Sequence, residues 1–169
     1  NGSPFEVDKD DRRLNAVSGT RVRETGLPLA YLNRGGGQDE LVFDGASFVM
    51  NADLSIAQQL PDWEEALVLT QWEKWDGQWV CLPGDRHELD PRPADIYNAM
   101  VLGLRDYVNR NRFPGIVLGL SGGIDSALSA AVAVDALGKD RVRAVMMPFR
   151  YTSSMSLEDA EAEAVAVGH

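Results

Sequence analysis

The stretch IVLGLSGGIDSALSAAVAVDALG, residues 116–138, decides the fold of the C-terminal part of the chain. IVLGL is a short apolar run behind Pro114-Gly115, and such runs are typical of buried strands. SALSAAVAVDALG is rich in alanine and ends at Gly138, which predicts a helix followed by a glycine. The stretch therefore predicts a strand, a tight glycine-containing turn and a helix in direct succession.

The segments on either side continue this alternation. Upstream, ADIYNAMVLGLRDYVNRNRF repeats an apolar residue every four positions from Ile96 to Val108, as an amphipathic helix requires. Downstream, VRAVMMPF predicts a second strand, and SLEDAEAEAVAV predicts a second helix with Ser156 as its N-cap. The order of these elements implies a parallel sheet with helices packed on it.

The N-terminal part of the chain indicates short strands instead. We expect Asn1–Arg13 to be a loop leading into a short helix and LPLAYLNR to be a buried strand. We expect the GGG at 35–37 to interrupt regular secondary structure. ELVFDGASFVMNADLSIAQQL predicts two strands, with a hairpin turn at Asp44-Gly45 and a second turn at Asn51-Ala52-Asp53. Residues 66–82 predict one or two more strands around Asp76-Gly77.

The loop SGGIDS, residues 121–126, has the features of a phosphate-binding turn. The start of a helix presents unpaired N–H groups and a partial positive charge, and glycines let the backbone approach an anion closely. Ser121 and Ser126 add hydroxyl donors, whereas Asp125 suits a Mg²⁺ ion that bridges phosphates. A plain strand-to-helix turn with a capping serine is the alternative. The loop is neither a Walker A sequence nor the GxGxxG of a dinucleotide fold.

Composition narrows the classes of function. The net charge of −10 argues against a nucleic-acid binder, and no apolar run approaches the length of a membrane span. The single cysteine, Cys81, excludes an internal disulfide, so we expect a cytoplasmic protein without membrane or nucleic-acid partners. The chain begins at Asn1 without a methionine and ends inside a predicted helix at His169, so we expect a segment of a longer protein.

SGGxDS resembles the pyrophosphate loop of the N-type ATP pyrophosphatases, which adenylate a carboxylate or carbonyl and release pyrophosphate. The flanks VLGLSGGIDSALSAAVAVDALG and VRAVMMPFRYTSSMSLEDA are similar to the NAD synthetases within that group. This resemblance implies ATP and Mg²⁺ as cofactors, with Asp125 on the metal ion. It implies an ATP-binding set of Gly119, Leu120, Ser121, Gly122, Gly123, Ile124, Asp125, Ser126, Met147 and Arg150.

NGSPFEVDK and LPLAYLNRGGGQDELVFDGASFV resemble the end of the nitrilase-type glutaminase domain of glutamine-dependent NAD synthetases. The resemblance implies that Ser3 and Lys9 bind glutamine. It also implies that the glutaminase Cys, Glu and Lys lie upstream, so that no catalytic residue is in this chain. Cys81 lies in a predicted strand with no base near it in sequence, which favours a buried thiol.

The resemblance divides the chain into three parts and implies an α/β fold for each domain. Residues 1–81 would be the C-terminal end of a nitrilase-like α/β sandwich, and 82–93, with three prolines, a linker. Residues 94–169 would begin the parallel α/β sheet of an adenine-nucleotide α-hydrolase-like domain.

The implied activity of the whole protein is amidation of deamido-NAD+ to NAD+. Ammonia from glutamine would displace AMP from an adenylated intermediate, after release of pyrophosphate, in a homo-oligomeric ligase. Two alternatives stay open, namely another amide-forming ATP pyrophosphatase such as a GMP synthetase, and a non-catalytic nucleotide-binding segment. We expect these 169 residues alone to be incomplete for catalysis.

Overall fold

The computed structural model of the chain describes residues 1–147 and 154–166. Two units emerge from the contacts within it. The first comprises Asn1–Gly36 with Glu40–Ala99, and the second Gly37–Asp39 with Met100–His169. Each unit combines helices with β-strands, as the α/β prediction requires. The division into domains 1–81 and 94–169 with a linker at 82–93 stays a prediction.

The N-terminal helical segment is longer than the sequence predicts. It runs through α1 (Lys9–Asp11), a π-helical stretch (Arg12–Ser18) and α2 (Gly19–Thr25), and it ends at Gly26 in the left-handed conformation. The charged residues that suggested a loop lie largely on the exposed side, while Val22 is buried. The sequence prediction missed this helix because most of its residues are polar and only one face of the helix is buried.

Seven strands follow between residues 29 and 81. They are β1 (Leu29–Tyr31), β2 (Gly35–Gln38), β3 (Leu41–Asp44), β4 (Phe48–Met50), β5 (Ile56–Gln59), β6 (Trp72–Trp75) and β7 (Gln78–Cys81). The GGG segment begins strand β2, so the prediction that these glycines interrupt regular secondary structure is wrong. β4 pairs antiparallel with β1 and β5, and Val22, Phe48 and Met50 form a core beside this sheet.

The hairpin turn predicted at Asp44-Gly45 is wrong, whereas the second turn predicted at Asn51-Ala52-Asp53 is confirmed between the antiparallel strands β4 and β5. Asp44-Gly45 does not join a hairpin, because β4 pairs with β1 and β5 rather than with β3. The Gly45 N–H donates instead to the carbonyl oxygen of Arg34 at 2.9 Å, which directs the chain away from β3. Asp76-Gly77 does join the antiparallel strands β6 and β7. Both residues have positive φ, of 47° and 83°, as a tight two-residue hairpin turn requires.

The second unit follows the predicted alternation closely. It contains α3 (Ala94–Arg110, from Met100 onward), β8 (Ile116–Leu120), α4 (Ile124–Leu137), a 3₁₀ turn (Lys139–Arg141), β9 (Val142–Met146) and α5 (Ser154–Ala166). β8 and β9 are parallel, in register from Ile116 opposite Val142 to Leu120 opposite Met146. Leu120, Ala130 and Ala160 form the core between the strands and helices, which confirms the parallel sheet with packed helices.

The start of α5 differs from the prediction. Because α5 begins at Ser154, Ser156 lies inside the helix and cannot be its N-cap residue. Within the residues that the structure describes, no helix combines the length and apolar character needed to cross a membrane.

Candidate functional site

The SGGIDS loop lies between the carboxyl end of β8 and the first turn of α4. Leu120, the last residue of β8, is buried, whereas Ser121 is exposed. Gly122 has φ 75°, a conformation that favours glycine, and Gly123 is extended at the N-cap position. The backbone therefore turns sharply out of the sheet and presents the start of α4 to solvent.

The first turn of α4 is open to an anion. In the described part of the chain, no side chain caps the helix at Gly123. The first N–H groups of an α-helix have no partner within the helix, and together with the helix dipole they favour negative charge. A phosphate group at this position would find backbone donors without needing a lysine or arginine nearby.

The Ser126 hydroxyl closes the loop on itself. It donates to the carbonyl oxygen of Gly123 at 2.8 Å and accepts from the Ser121 N–H at 3.2 Å. Because its proton is directed to Gly123, the Ser121 hydroxyl donates in the 3.1 Å contact between the two hydroxyl oxygens. Ser126 thus links the first turn of the helix to Ser121 and to Gly123 within the loop.

Asp125 projects from the same turn. Its carboxylate is exposed in the first turn of α4, and the next residue, Ser126, is half-buried. No group of three or more His, Cys, Asp or Glu residues able to hold a metal ion occurs among the described residues. A cation at Asp125 would therefore take most of its ligands from phosphate oxygens and water, which is how Mg²⁺ is commonly bound beside nucleotides.

Gly119 and Met147 approach each other at the ends of the two strands. A Cβ on Gly119 would lie 2.9 Å from the Met147 Cε atom, so the methionine methyl group covers this glycine. Met147 follows β9 directly and is 76% exposed. The structure thus brings residues 119–126 and Met147 to one edge of the sheet. Arg150, the remaining member of the predicted ATP-binding set, lies outside the described residues.

A groove of the second unit lies at the other end of the same strands. It has a volume of about 640 Å³, and Gly115, Ile116 and residues 139–143 contribute to its walls. Ligands in open α/β sheets bind outside the carboxyl ends of the strands. Because this groove lies at the amino ends of β8 and β9, we do not place the nucleotide there.

Lys9 contacts the residue that follows Ser3 in the first unit. The Lys9 ammonium donates to the carbonyl oxygen of Pro4 at 2.8 Å and to Glu6 at 3.1 Å. This hydrogen bond and the charge of Lys9 lower the pKa of the Glu6 carboxyl, and Arg12 adds to the effect. The Lys9 cation is thereby held beside the residue that follows Ser3.

A buried polar network behind Ser3 is absent from the sequence prediction. Asn33 bonds to both backbone groups of Ser3, and Asp44 bonds to Asn33 and Arg13. All three side chains are buried. An aspartate directly after the apolar strand residues LVF was the available signal, because a buried carboxylate needs charged or polar partners.

Cys81 is fully buried beside Val49 and Ala57. Burial raises the pKa of the thiol, which keeps it protonated and poorly nucleophilic at neutral pH. Asn51 holds the Cys81 backbone through two hydrogen bonds, of 2.9 and 3.0 Å. These features are those of a structural thiol in the core.

Comparison with known proteins relates both parts of the chain to one group of enzymes. The family model of the NAD synthases matches residues 96–168. A glutamine-dependent NAD+ synthetase of Rhodobacter capsulatus is 55% identical over 163 residues, which are 95% of this chain and 29% of the Rhodobacter protein.

Solved structures agree with this relationship. The glutamine-dependent NAD+ synthetase of Acinetobacter baumannii, in complex with adenosine diphosphate, matches 99% of this chain and 31% of its own with a TM-score of 0.91 and 44% identity. The enzyme of Cytophaga hutchinsonii shares the fold, with a TM-score of 0.78 at 17% identity. The chain spans about 30% of the length of the relatives that it matches.

Proposed function

We propose that this chain, a relative of the glutamine-dependent NAD+ synthetases, is the segment of such an enzyme that joins its glutamine site to its ATP site. In the complete protein, ATP would adenylate the nicotinate carboxylate of deamido-NAD+ with release of pyrophosphate. Ammonia from glutamine would then displace AMP and give NAD+. The observation that carries the proposal is the SGGIDS loop, which Ser126 holds at the N-terminus of α4.

The loop's contribution to this reaction is to hold ATP phosphates. Backbone N–H groups of residues 122–126 would donate to phosphate oxygens, and the Ser121 hydroxyl would do so after turning its proton away from Ser126. The Ser126 hydroxyl would keep the loop in shape through its bonds to the Ser121 N–H and the Gly123 carbonyl oxygen. Met147 at the neighbouring strand end and Arg150 would complete the ATP site. Such a site accelerates the reaction chiefly by positioning and by neutralising the phosphate charge.

Asp125 would hold Mg²⁺. Its exposed carboxylate fits a cation whose other ligands are phosphate oxygens and water, because the described residues offer no multi-residue metal site. When bound, Mg²⁺ neutralises negative charge on the phosphates. The role of Asp125 is to place that cation over the loop, since a carboxylate cannot itself bind a phosphate.

Ser3 and Lys9 would bind glutamine in the first unit. A serine hydroxyl and a lysine ammonium suit the charged amino-acid head of glutamine, and the contact of Lys9 with the Pro4 carbonyl keeps them close. On this account residues 1–81 end a nitrilase-like glutaminase sandwich. Residues 82–93 form a linker, and residues 94–169 begin an adenine-nucleotide α-hydrolase-like domain. We place the complete enzyme in the cytoplasm as a homo-oligomer.

Acceptor specificity tests this proposal against the other amide-forming ATP pyrophosphatases. The full-length protein that contains this chain is incubated with ATP, Mg²⁺ and ammonia, and with either deamido-NAD+ or xanthylate. We expect pyrophosphate and AMP to form with deamido-NAD+ only, together with NAD+. If product forms with xanthylate and not with deamido-NAD+, the protein is a GMP synthetase instead. If AMP forms with neither acceptor, the adenylating function is refuted.

A further inference from the structure

We propose that Asn33 is a positioning residue for glutamine, acting through the backbone of Ser3. This inference rests on the proposed function, because Ser3 is a glutamine ligand only on that account. Asn33 itself is 7% exposed and would not touch the substrate. Its effect is to fix the place and direction of the Ser3 residue that does.

The side-chain amide of Asn33 holds both peptide groups of Ser3. Its Oδ1 atom accepts the Ser3 N–H at 3.0 Å, and its Nδ2 atom donates to the Ser3 carbonyl oxygen at 3.0 Å. Two bonds to the same residue leave its backbone little freedom to rotate. The Asn33 backbone N–H donates to the buried Ser47 hydroxyl at 2.9 Å, so the backbone of Asn33 is itself fixed in place.

Asp44 decides which way the Asn33 amide faces. The Nδ2 atom of Asn33 lies 3.1 Å from the Asp44 Oδ1 atom. An ionised carboxylate can only accept hydrogen bonds, so the NH₂ side of the amide must face Asp44. The carbonyl side then faces the Ser3 N–H. Without Asp44, the orientation of the amide would rest on its two bonds to Ser3, and the donor side of the amide would lose its second acceptor.

Arg13 in turn fixes Asp44. Its guanidinium makes two bonds to the carboxylate, at 2.7 and 2.9 Å, and both side chains are almost fully buried. Bidentate arginine–carboxylate ion pairs are stronger than single hydrogen bonds and have a defined geometry. The order of support therefore runs from Arg13 to Asp44, to Asn33, and to Ser3.

The chain contains a matched control for a purely structural role. Asn51 holds the Cys81 backbone in the same two-bond pattern, with its Oδ1 accepting at 2.9 Å and its Nδ2 donating at 3.0 Å. It is buried in the same unit to a similar degree, 8% against 7%. Cys81 has no part in glutamine binding, so loss of the Asn51 bonds should affect stability alone.

Asn33→Asp and Asn51→Asp are compared in the full-length protein, with glutamine or ammonia as the nitrogen donor. Each change removes the donor side of one amide. We expect Asn33→Asp to raise the KM for glutamine about tenfold or more, with a much smaller effect on ammonia-driven NAD+ formation. We expect Asn51→Asp to leave the KM for glutamine near that of the wild type. An unchanged KM in Asn33→Asp, or an equal rise in both variants, would overturn the proposal.

A second variant covers failure of Asn33→Asp to fold. Asn33→Asp combined with Asp44→Asn exchanges amide and carboxylate, which restores a donor opposite an acceptor between the two positions and keeps an acceptor for the Ser3 N–H. The exchange still costs the donor to the Ser3 carbonyl and one Arg13 bond, so the rescue should be partial. We expect this pair to fold and to bring the KM for glutamine back toward that of the wild type from its value in Asp44→Asn alone. A KM in the pair no better than in Asp44→Asn would count against the proposal.

Failure of the proposed function has a separate signature. In that case the wild type forms no NAD+ from glutamine, or Ser3→Ala leaves the KM for glutamine unchanged. Hydrogen exchange at the Ser3 amide then tests, independently of glutamine binding, whether Asn33 restrains the Ser3 backbone. Slow exchange in the wild type that becomes fast in Asp44→Asn supports this restraint, and fast exchange in the wild type overturns it.

Discussion

The hydroxyl oxygens of Ser121 and Ser126 lie 3.1 Å apart across the turn from β8 into α4. The first residue after the strand is thereby joined to the first turn of the helix. The intervening glycines are held in an arch whose N–H groups can turn toward a bound anion. Hydrogen bonds that restrict a loop reduce the conformational freedom that the loop can lose when a ligand binds.

Loss of the Ser126 hydroxyl should weaken ATP binding. Ser126→Ala removes the acceptor of the Ser121 N–H and one of the two donors to the Gly123 carbonyl oxygen, the other being the Ala127 N–H. We expect the Kd for ATP of the full-length protein to rise about tenfold, or about 1.4 kcal/mol, measured by calorimetric titration. Ser129→Ala is the control, because the Ser129 hydroxyl donates to the Asp125 carbonyl within the same helix rather than to the loop. Equal Kd values in the two variants would contradict this role for Ser126.

Lys9 should matter for glutamine in a way that its neighbour Arg12 does not. Both cations contact Glu6, but only Lys9 also reaches the Pro4 carbonyl beside Ser3. We expect Lys9→Met to raise the KM for glutamine about tenfold, since a charged hydrogen bond to the substrate is lost. We expect Arg12→Met to change it little. A larger rise in Arg12→Met, from steady-state rates at varied glutamine, would refute the assignment.

Asp62 should make the fold less stable as the pH rises. Burial is the main cause that raises the pKa of its carboxyl above the ordinary 3.8, and the charge of Asp90 adds to it. The folded state therefore holds this proton more tightly than the unfolded state. The stability that the group contributes is present at low pH and is lost as the pH rises through its folded pKa.

Asp62→Asn should accordingly raise the free energy of unfolding at neutral pH and lose that advantage in acid. The asparagine oxygen can still accept the Asp90 N–H that Asp62 accepts at 3.0 Å. Urea unfolding at about pH 4 and about pH 7 measures the difference. The control is Glu88→Gln, which removes one charge at an exposed site in the same segment. The same pH dependence in both variants would show that overall charge, rather than Asp62, is responsible.

Cys81 should be inert in the native protein. Its burial and raised pKa both oppose thiolate formation. We expect iodoacetamide to label it at least roughly a hundred times more slowly in the native state than in denaturant, measured by mass spectrometry. Rapid native labelling, or loss of glutamine-driven activity in a folded Cys81→Ser variant, would point to a chemical role instead.

Elements whose determinants are adjacent in sequence could be predicted. The turn from β8 into α4 follows from an apolar run, two glycines and an alanine-rich helix within 23 residues. The hairpin at Asp76-Gly77 follows from two residues that tolerate positive φ. In both cases a few neighbouring side chains suffice to specify the backbone.

Features that depend on distant partners could not be predicted. Asp44 pairs with Arg13, 31 residues away, and with Asn33, 11 residues away, and these bonds replace the expected hairpin turn. The support of Ser3 by Asn33 spans 30 residues for the same reason. The position of Asp125 and Ser126 in the turn from β8 into α4 could be predicted, whereas the hydrogen bonds of Ser126 to Ser121 and Gly123 could not.

The most direct test of the account is NAD+ formation from deamido-NAD+, ATP and glutamine by the full-length protein, with Asp125→Ala measured alongside. We expect the wild type to form AMP and NAD+ in equal amounts. We expect Asp125→Ala to lose nearly all NAD+ formation with either glutamine or ammonia, because the Mg²⁺ ion that neutralises the ATP phosphates is no longer held. An undiminished rate in folded Asp125→Ala, or no NAD+ from the wild type, would contradict the account.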